Sequence, residues 1–544
     1  MRVIFPVSLV LLLAASRLLP AQDAERRQVV DLGQVGQVHF PVTCAPGIQA
    51  DFDRAVAVLH SFFYEESEPE FVDIAKRDPG CAMAWWGVAM SLWHPLWEPP
   101  DKESLRCGWE AIQRADSIGA ESERERGYIA ALATFYRDPD RVNHQTRAQA
   151  YERAMEQLYR RFPDDIEVAA FYALSLNATA DPKDKTYAKL RRAISILEPL
   201  YAKHPDHPGI VHYLIHSCDA PPLAASGLPA ARHYAEVAPR VPHALHMPAH
   251  IYTRLGMWDE SIASNLAAAQ AGRDYAAARY GGGAYYDEVH AYDYLEYAYL
   301  QKVQDAKASA IRDSVLAIRR VSHQTLTFFY ALSSVPARYA IERREWKEAA
   351  ALQLAPGWDW SRYPWTEATL QYARALGGAR SGQLDIARQA VERLAAIQTD
   401  IVDPRLHYWA SQVEVQRRTA TAWLAFAEGR QEEALEAMRT AAAIEDSTEK
   451  LPVTPGSILP ARELLGDMLL EMHRAKDALA AYAATLRISP RRLHALAGAQ
   501  QAAEESSQGA LALRYATELL DVAKDADGDR TELIQARRLT SGEH

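Results

Sequence analysis

Histidine is where this sequence concentrates its chemistry. Of 18 histidines, eight fall between residues 204 and 250, where an even spread would place one or two. Their spacing is ordered. His212 and His246 are 34 residues apart, and so are His216 and His250. Within each pair the members are four apart, which puts both on one face of a helix. His243 lies seven before His250 on the same face. Further on, His290 follows His243 by 47 residues and Asp293 follows His246 by 47. The set His212, His216, His243, His246, His250, His290 and Asp293 therefore reads as imidazoles and a carboxylate brought to one place by successive helices. Neutral imidazole nitrogen, with or without a carboxylate, is a donor set for Zn, Fe, Mn or Cu. Seven groups exceed one tetrahedral ion, so two ions, or one ion with supporting partners, both fit.

Other histidines read more plainly. His204 and His207 flank Pro205 and are expected in solvent, and His233 has no partner in register. His60, His94, His323, His407, His473 and His494 are expected to be ordinary core or surface residues. A metal-bound water would need a general base, and Asp287 and Glu288 are nearest in sequence. The chain contains no HExxH, GxSxG, P-loop or GxGxxG, so serine nucleophiles, nucleotides and dinucleotide redox have no support. Catalysis is left open by the sequence.

The elements that must position these side chains are helices. From about residue 50 to 525 apolar residues recur at three- and four-residue spacing, with almost no strand-like alternation. Pro and Gly punctuate the runs, as at Asp78-Pro79, Phe162-Pro163, His204-Pro205 and Ser489-Pro490. Around Leu465-Gly466, Ala478, Tyr482 and Pro490, small residues let two antiparallel helices approach and Tyr482 fills the gap between them. This segment resembles the tetratricopeptide repeat, whose period is 34 residues. Gly256–Ser261, Gly382–Ala387, Gly429–Ala434 and Asp78–Gly87 repeat the hairpin signal. The stretches Phe52–Phe62, Asp78–Met90, His212–His216, His246–His250 and Leu459–Asp467 are similar to a group of secreted bacterial repeat proteins, a resemblance that implies fold and compartment but no reaction.

The expectation is an all-α superhelical solenoid of such hairpins, whose first helices line a concave wall. Ala271–Tyr286 and the aromatic loop Trp358–Trp365 read as insertions, the loop packing over the superhelix edge. Pro248 disfavours a regular helix, so His243 and His246 are placed in a loop ahead of it. Glu463 and Asp467 hold the offsets of His246 and His250 in a later hairpin. They read as a salt-bridged helix face or as an acidic groove for a basic partner segment.

Arg2, the apolar run Val3–Ala15 and Leu19-Pro20-Ala21 read as a secretory signal peptide over residues 1–21. An N-terminal extension is expected at 22–50, the His-bearing array at 51–350, further repeats at 351–525 and a polar tail at 526–544. A periplasmic or secreted protein without a membrane anchor follows. In that compartment Cys44 and Cys81, each beside a turn signal, are the preferred disulfide among four cysteines; the alternative is four free thiols. No CxxCH occurs, so covalent haem is not expected. The net charge of −11 argues against a nucleic-acid partner. A peptide or a cell-envelope protein in the groove is the expected alternative to metal.

Overall fold

A computed structural model describes residues 30–541 apart from Trp97. The expected signal peptide lies outside the described residues. Helices follow one another from Gln49–His60 to Thr531–Ser541, and the described residues contain no strand beyond two isolated bridges. Each helix packs on its sequence neighbour. From Tyr286–Gln301 onward every second helix also packs on the next, through Leu326–Glu342, Pro364–Ser381, His407–Ala427, Ala461–Glu471 and Leu493–Glu505. First helices stacked on first helices are the signature of an all-α repeat solenoid with tetratricopeptide-like layout.

Local sequence explains where helices start and stop. Asp101, Ser122, Asn143 and Asp165 cap helix N-termini by accepting from the backbone N–H three residues on. Gly281, Gly382 and Gly429 end or follow helices with positive φ. The close approach anticipated at Gly466 is present: the Tyr482 ring lies between Gly466 and Gly498, where an added Cβ would fall 2.7 and 2.2 Å from it. The Trp358–Trp365 loop packs as expected, Trp358 on Phe328 at 4.8 Å and Trp360 on Phe329 at 5.5 Å.

Three expectations are revised. Residues 271–280 are no insertion but the end of the long helix Trp258–Tyr280; the loop is confined to residues 281–285. The second half of the helix stays packed by burying Gly272, Tyr275 and Ala276. The C-terminal stretch read as a polar tail forms helix Thr531–Ser541, which buries Leu533 and Ala536. Pro248 does not exclude helix before it. Pro242–His246 and Pro248–Arg254 are helical, and Met247 between them keeps φ −53°, ψ −36°. A proline costs only the N–H it lacks at the first turn, so a kinked junction suffices.

The hollow of the superhelix is not an open groove. Residues 447–460 thread into it. Glu449 N–H donates to the Pro182 carbonyl, Tyr294 and Tyr330 hydroxyls donate to Thr454, and Lys450 reaches Asp219 at 2.9 Å. The N-terminal extension closes another side, with Phe40 fully buried. Cys44 and Cys81 form a disulfide, with Cα atoms 4.8 Å apart, and Cys107 and Cys218 are free.

Candidate metal centre

Three consecutive first helices carry the six imidazoles. Pro208–Cys218 supplies His212 and His216, the kinked pair Pro242–His246 and Pro248–Arg254 supplies His243, His246 and His250, and Tyr286–Gln301 supplies His290. Each is at most 8% exposed. They sort into two triads: His212, His216 and His243 in one, His246, His250 and His290 in the other. Within each triad one ligand atom from each residue lies within 4.8 Å of the others. The triads are adjacent, with the His216 and His250 ring centroids 5.9 Å apart.

Hydrogen bonds around the rings define which nitrogen faces inward. Asn265 donates its amide to the Ser261 carbonyl at 2.8 Å, which turns its Oδ1 toward His246 Nδ1 at 2.6 Å. His246 Nδ1 must then carry the proton. Asp219 Oδ2 lies 2.9 Å from His250 Nδ1. Burial would raise the Asp219 carboxyl, but Lys450, Arg254 and the His250 bond outweigh it and hold it well below the usual carboxylate range. Asp219 therefore accepts, and His250 Nδ1 also carries its proton. Both Nε2 atoms are left as bare lone pairs, and they face each other at 3.1 Å. In the first triad His212 Nδ1 donates to the His60 carbonyl at 2.7 Å, so its Nε2 lone pair points at His243 Nε2, 3.2 Å away. His216 Nε2 is buried with no hydrogen-bond partner.

Burial holds all six imidazoles neutral. It pushes His212 and His290 down to about 3. Burial and the neighbouring imidazoles also lower His216, His243 and His246, and His250 is lowered despite Asp219. The neutral ring is the ligand form. Phe62, at φ 54°, sets its ring 4.3 Å from that of His212 and walls off the first triad. Tyr294 stands edge-on to His246 at 4.7 Å.

Asp293, expected with the histidines, is held elsewhere. Its Oδ1 takes the Arg338 guanidinium at 2.5 Å and the Ser334 hydroxyl at 2.6 Å. A buried carboxylate goes to the buried guanidinium, and Leu326–Glu342 brings one. Glu288 caps its own helix and binds Tyr292, leaving it no part at the centre. Glu463 pairs with Arg492 and Asp467 with Arg344 and the Tyr482 hydroxyl, so these two form a salt-bridged face rather than an acidic groove. His207 is not solvated: its Nδ1 caps Ile210 and its Nε2 binds Glu167 at 2.8 Å. His233 has partners after all, Asp206 and Glu236. His60 is the satisfied core residue expected, fixed by Glu167 at 2.7 Å and the Tyr213 hydroxyl at 2.8 Å. The His60, Glu167 and His207 cluster is compact, but its ring nitrogens are already used. Its part is to hold the His60 carbonyl against His212.

Sequence reasoning missed the supports Asp219, Asn265 and Lys450, which hold no repeat offset. It also gave His94 and His323 no role. Both line a chamber of about 580 Å³ that opens onto His216, His243, His250 and His290. Asp287, named as a base candidate, is in its wall, where burial and the Glu65 charge push its carboxyl well above the usual range.

No family model and no curated protein matches the sequence. Among solved structures the chain is similar to a monomeric mutant of IFIT1 with Gppp-AAAA, at 12% identity and a TM-score of 0.37, over 85% of this chain and 90% of that one. That is a likeness of helical outline and carries nothing about function. Among the described residues no helix is long and apolar enough to cross a membrane.

Proposed function

We propose that this protein binds transition-metal ions in the two buried triads, one ion held by His212, His216 and His243 and one by His246, His250 and His290. The observation that carries this reading is the pair of Nε2 lone pairs of His246 and His250 at 3.1 Å. Two lone pairs at that separation repel unless a cation or a proton sits between them, and burial disfavours the proton. Two nitrogens on one tetrahedral ion at Zn–N distances of 2.0–2.1 Å lie roughly 3.3 Å apart. The Asp219–His250 and Asn265–His246 bonds are the supporting contacts that ligating histidines ordinarily have.

With Asp293 withdrawn, the donors are all imidazole. That set favours Zn or Cu over Mn, which prefers oxygen. Three nitrogens leave one position of a tetrahedral ion open. The Cys44–Cys81 disulfide, with the signal-peptide-like pattern of residues 1–21, supports work in an oxidising compartment, periplasmic or extracellular. Peptide capture is the weaker reading, since the protein's own residues 447–460 fill the hollow.

Elemental analysis tests this on purified wild-type protein beside a variant with His216→Ala and His250→Ala. About two Zn or Cu ions per chain are expected in the first, with most of that content gone from the second. Equal content in both would remove the site.

A further inference from the structure

Six neutral imidazoles bring no charge to offset two divalent ions. The nearest carboxylate, Asp219, is already matched by Arg254 and Lys450. Negative charge is instead concentrated across the chamber. Its wall includes Glu65, Glu68 and Asp101, together with Glu98, whose carboxyl burial raises and the Tyr363 hydroxyl binds, against Arg362 as the single guanidinium of the lining. The chamber also exposes His94 and His323, the latter 3.1 Å from Glu65. His216, whose buried Nε2 has no partner, belongs to the same lining. A walled space whose lining joins carboxylates, imidazoles and a residue with a buried, unpartnered nitrogen suits a cation. It is a poor receptacle for an anion.

We propose that this chamber is an antechamber for hydrated divalent metal ions, drawing them from solvent to His216 and discriminating against metal carried in anionic chelates. The proposal rests on the metal reading of the triads and adds how the ions arrive and in what form. The wall carboxylates exchange for hydration waters in passing, and the imidazoles complete the exchange. Carboxylate-lined clefts raise the encounter rate of cations by ten- to a thousandfold, an effect that falls with salt. On this view the wall governs the rate of loading, and the triads govern how much metal is held.

Stopped-flow uptake of Co²⁺ by the metal-free full chain separates the two, because bound Co²⁺ has its own visible spectrum. In a variant with Glu68→Gln, Glu98→Gln and Asp101→Asn, loading at low ionic strength should slow roughly tenfold and lose most of its salt dependence. The number of Co²⁺ bound should stay the same. Arg362→Glu, a single exposed change, should speed loading, so the proposal does not depend on the triple variant folding. Supplied as its anionic citrate complex, Co²⁺ should load the wild type more slowly than the aqua ion, and the gap should narrow in the triple variant. Full Co²⁺ binding with unchanged rates and unchanged salt dependence would overturn the antechamber and leave the triads standing. A wild-type chain that binds no Co²⁺ would remove both.

Discussion

Asn265 decides the protonation of His246 without touching the proposed ion. Its amide is pinned by the Ser261 carbonyl, so its oxygen faces His246 Nδ1 and the inner Nε2 is kept bare. Asn265→Ala frees the ring to turn and to take the other tautomer. Loss of such a partner typically weakens metal binding about 10- to 100-fold. Chelator competition with Zn²⁺ should show that drop for Asn265→Ala with no change in thermal midpoint of the metal-free protein beyond a few degrees. Equal affinity would mean that His246 is oriented by packing alone. The imidazoles themselves were legible because ligand spacing and repeat period coincide: 34 residues separate equivalent points on adjacent hairpins, so His212/His246 and His216/His250 announce a shared wall. Asp293 obeyed the same register and was misread, because register says where a residue sits and not which partner claims it. Arg338, on Leu326–Glu342, the first helix of the next hairpin, claims Asp293. Asp219 and Asn265 were invisible for the converse reason, since the hydrogen bonds that select them cross between helices with no fixed offset.

At the scale of helices, the hairpins depend on small residues at their crossings. Gly209 lets Pro208–Cys218 lie against His60; an added Cβ there would stand 2.5 Å from His60 Nδ1. Gly466 and Gly498 admit the Tyr482 ring from two sides. Gly466→Ala has no free space to enter and should cost about 1–3 kcal/mol, the usual range for overpacking. Calorimetry should show the loss in the C-terminal repeats, while Zn²⁺ content remains that of the wild type. An unchanged midpoint would show that Tyr482 can swing away. The disulfide acts at the other end. Cys44 and Cys81 are 37 residues apart in sequence. Closing a loop of that size in the unfolded chain is worth about 4 kcal/mol in the chain-entropy treatment. Reductant should lower the thermal midpoint of the N-terminal region, and a Cys44→Ser variant should no longer respond to it.

The superhelix as a whole closes on itself, and nothing local in the sequence foretells that. Residues 491–530 return to the helices around residue 300. Trp258 donates to the Arg491 carbonyl at 3.0 Å, Leu493 N–H to Gln301 at 3.0 Å, and Asp527 accepts from the backbone of Asp305 and Ala306, each at 2.9 Å. Helix Thr531–Ser541 packs on the returning helices Leu493–Glu505 and Gly509–Val522. Glu532 meets His494 Nδ1 at 3.2 Å, and Arg530 pairs with Asp305. Burial alone would raise the Glu532 carboxyl; the hydrogen bond and attraction of His494 outweigh it and bring the group down to about 2 from an ordinary 4.5. A carboxyl lowered by folding contributes its stability fully above its unfolded value, and the contribution drains away as pH falls toward its folded one. The seating of this last helix on Leu493–Glu505 should therefore weaken between pH 4.5 and about 2. Comparing wild type with Glu532→Gln isolates this group from the general effect of acid. Near neutral pH the wild type should melt at the higher temperature, and the difference should shrink toward zero through that window. A difference that stays constant with pH would mean that the helix is held by the burial of Leu533 and Ala536 and owes nothing to the Glu532 charge.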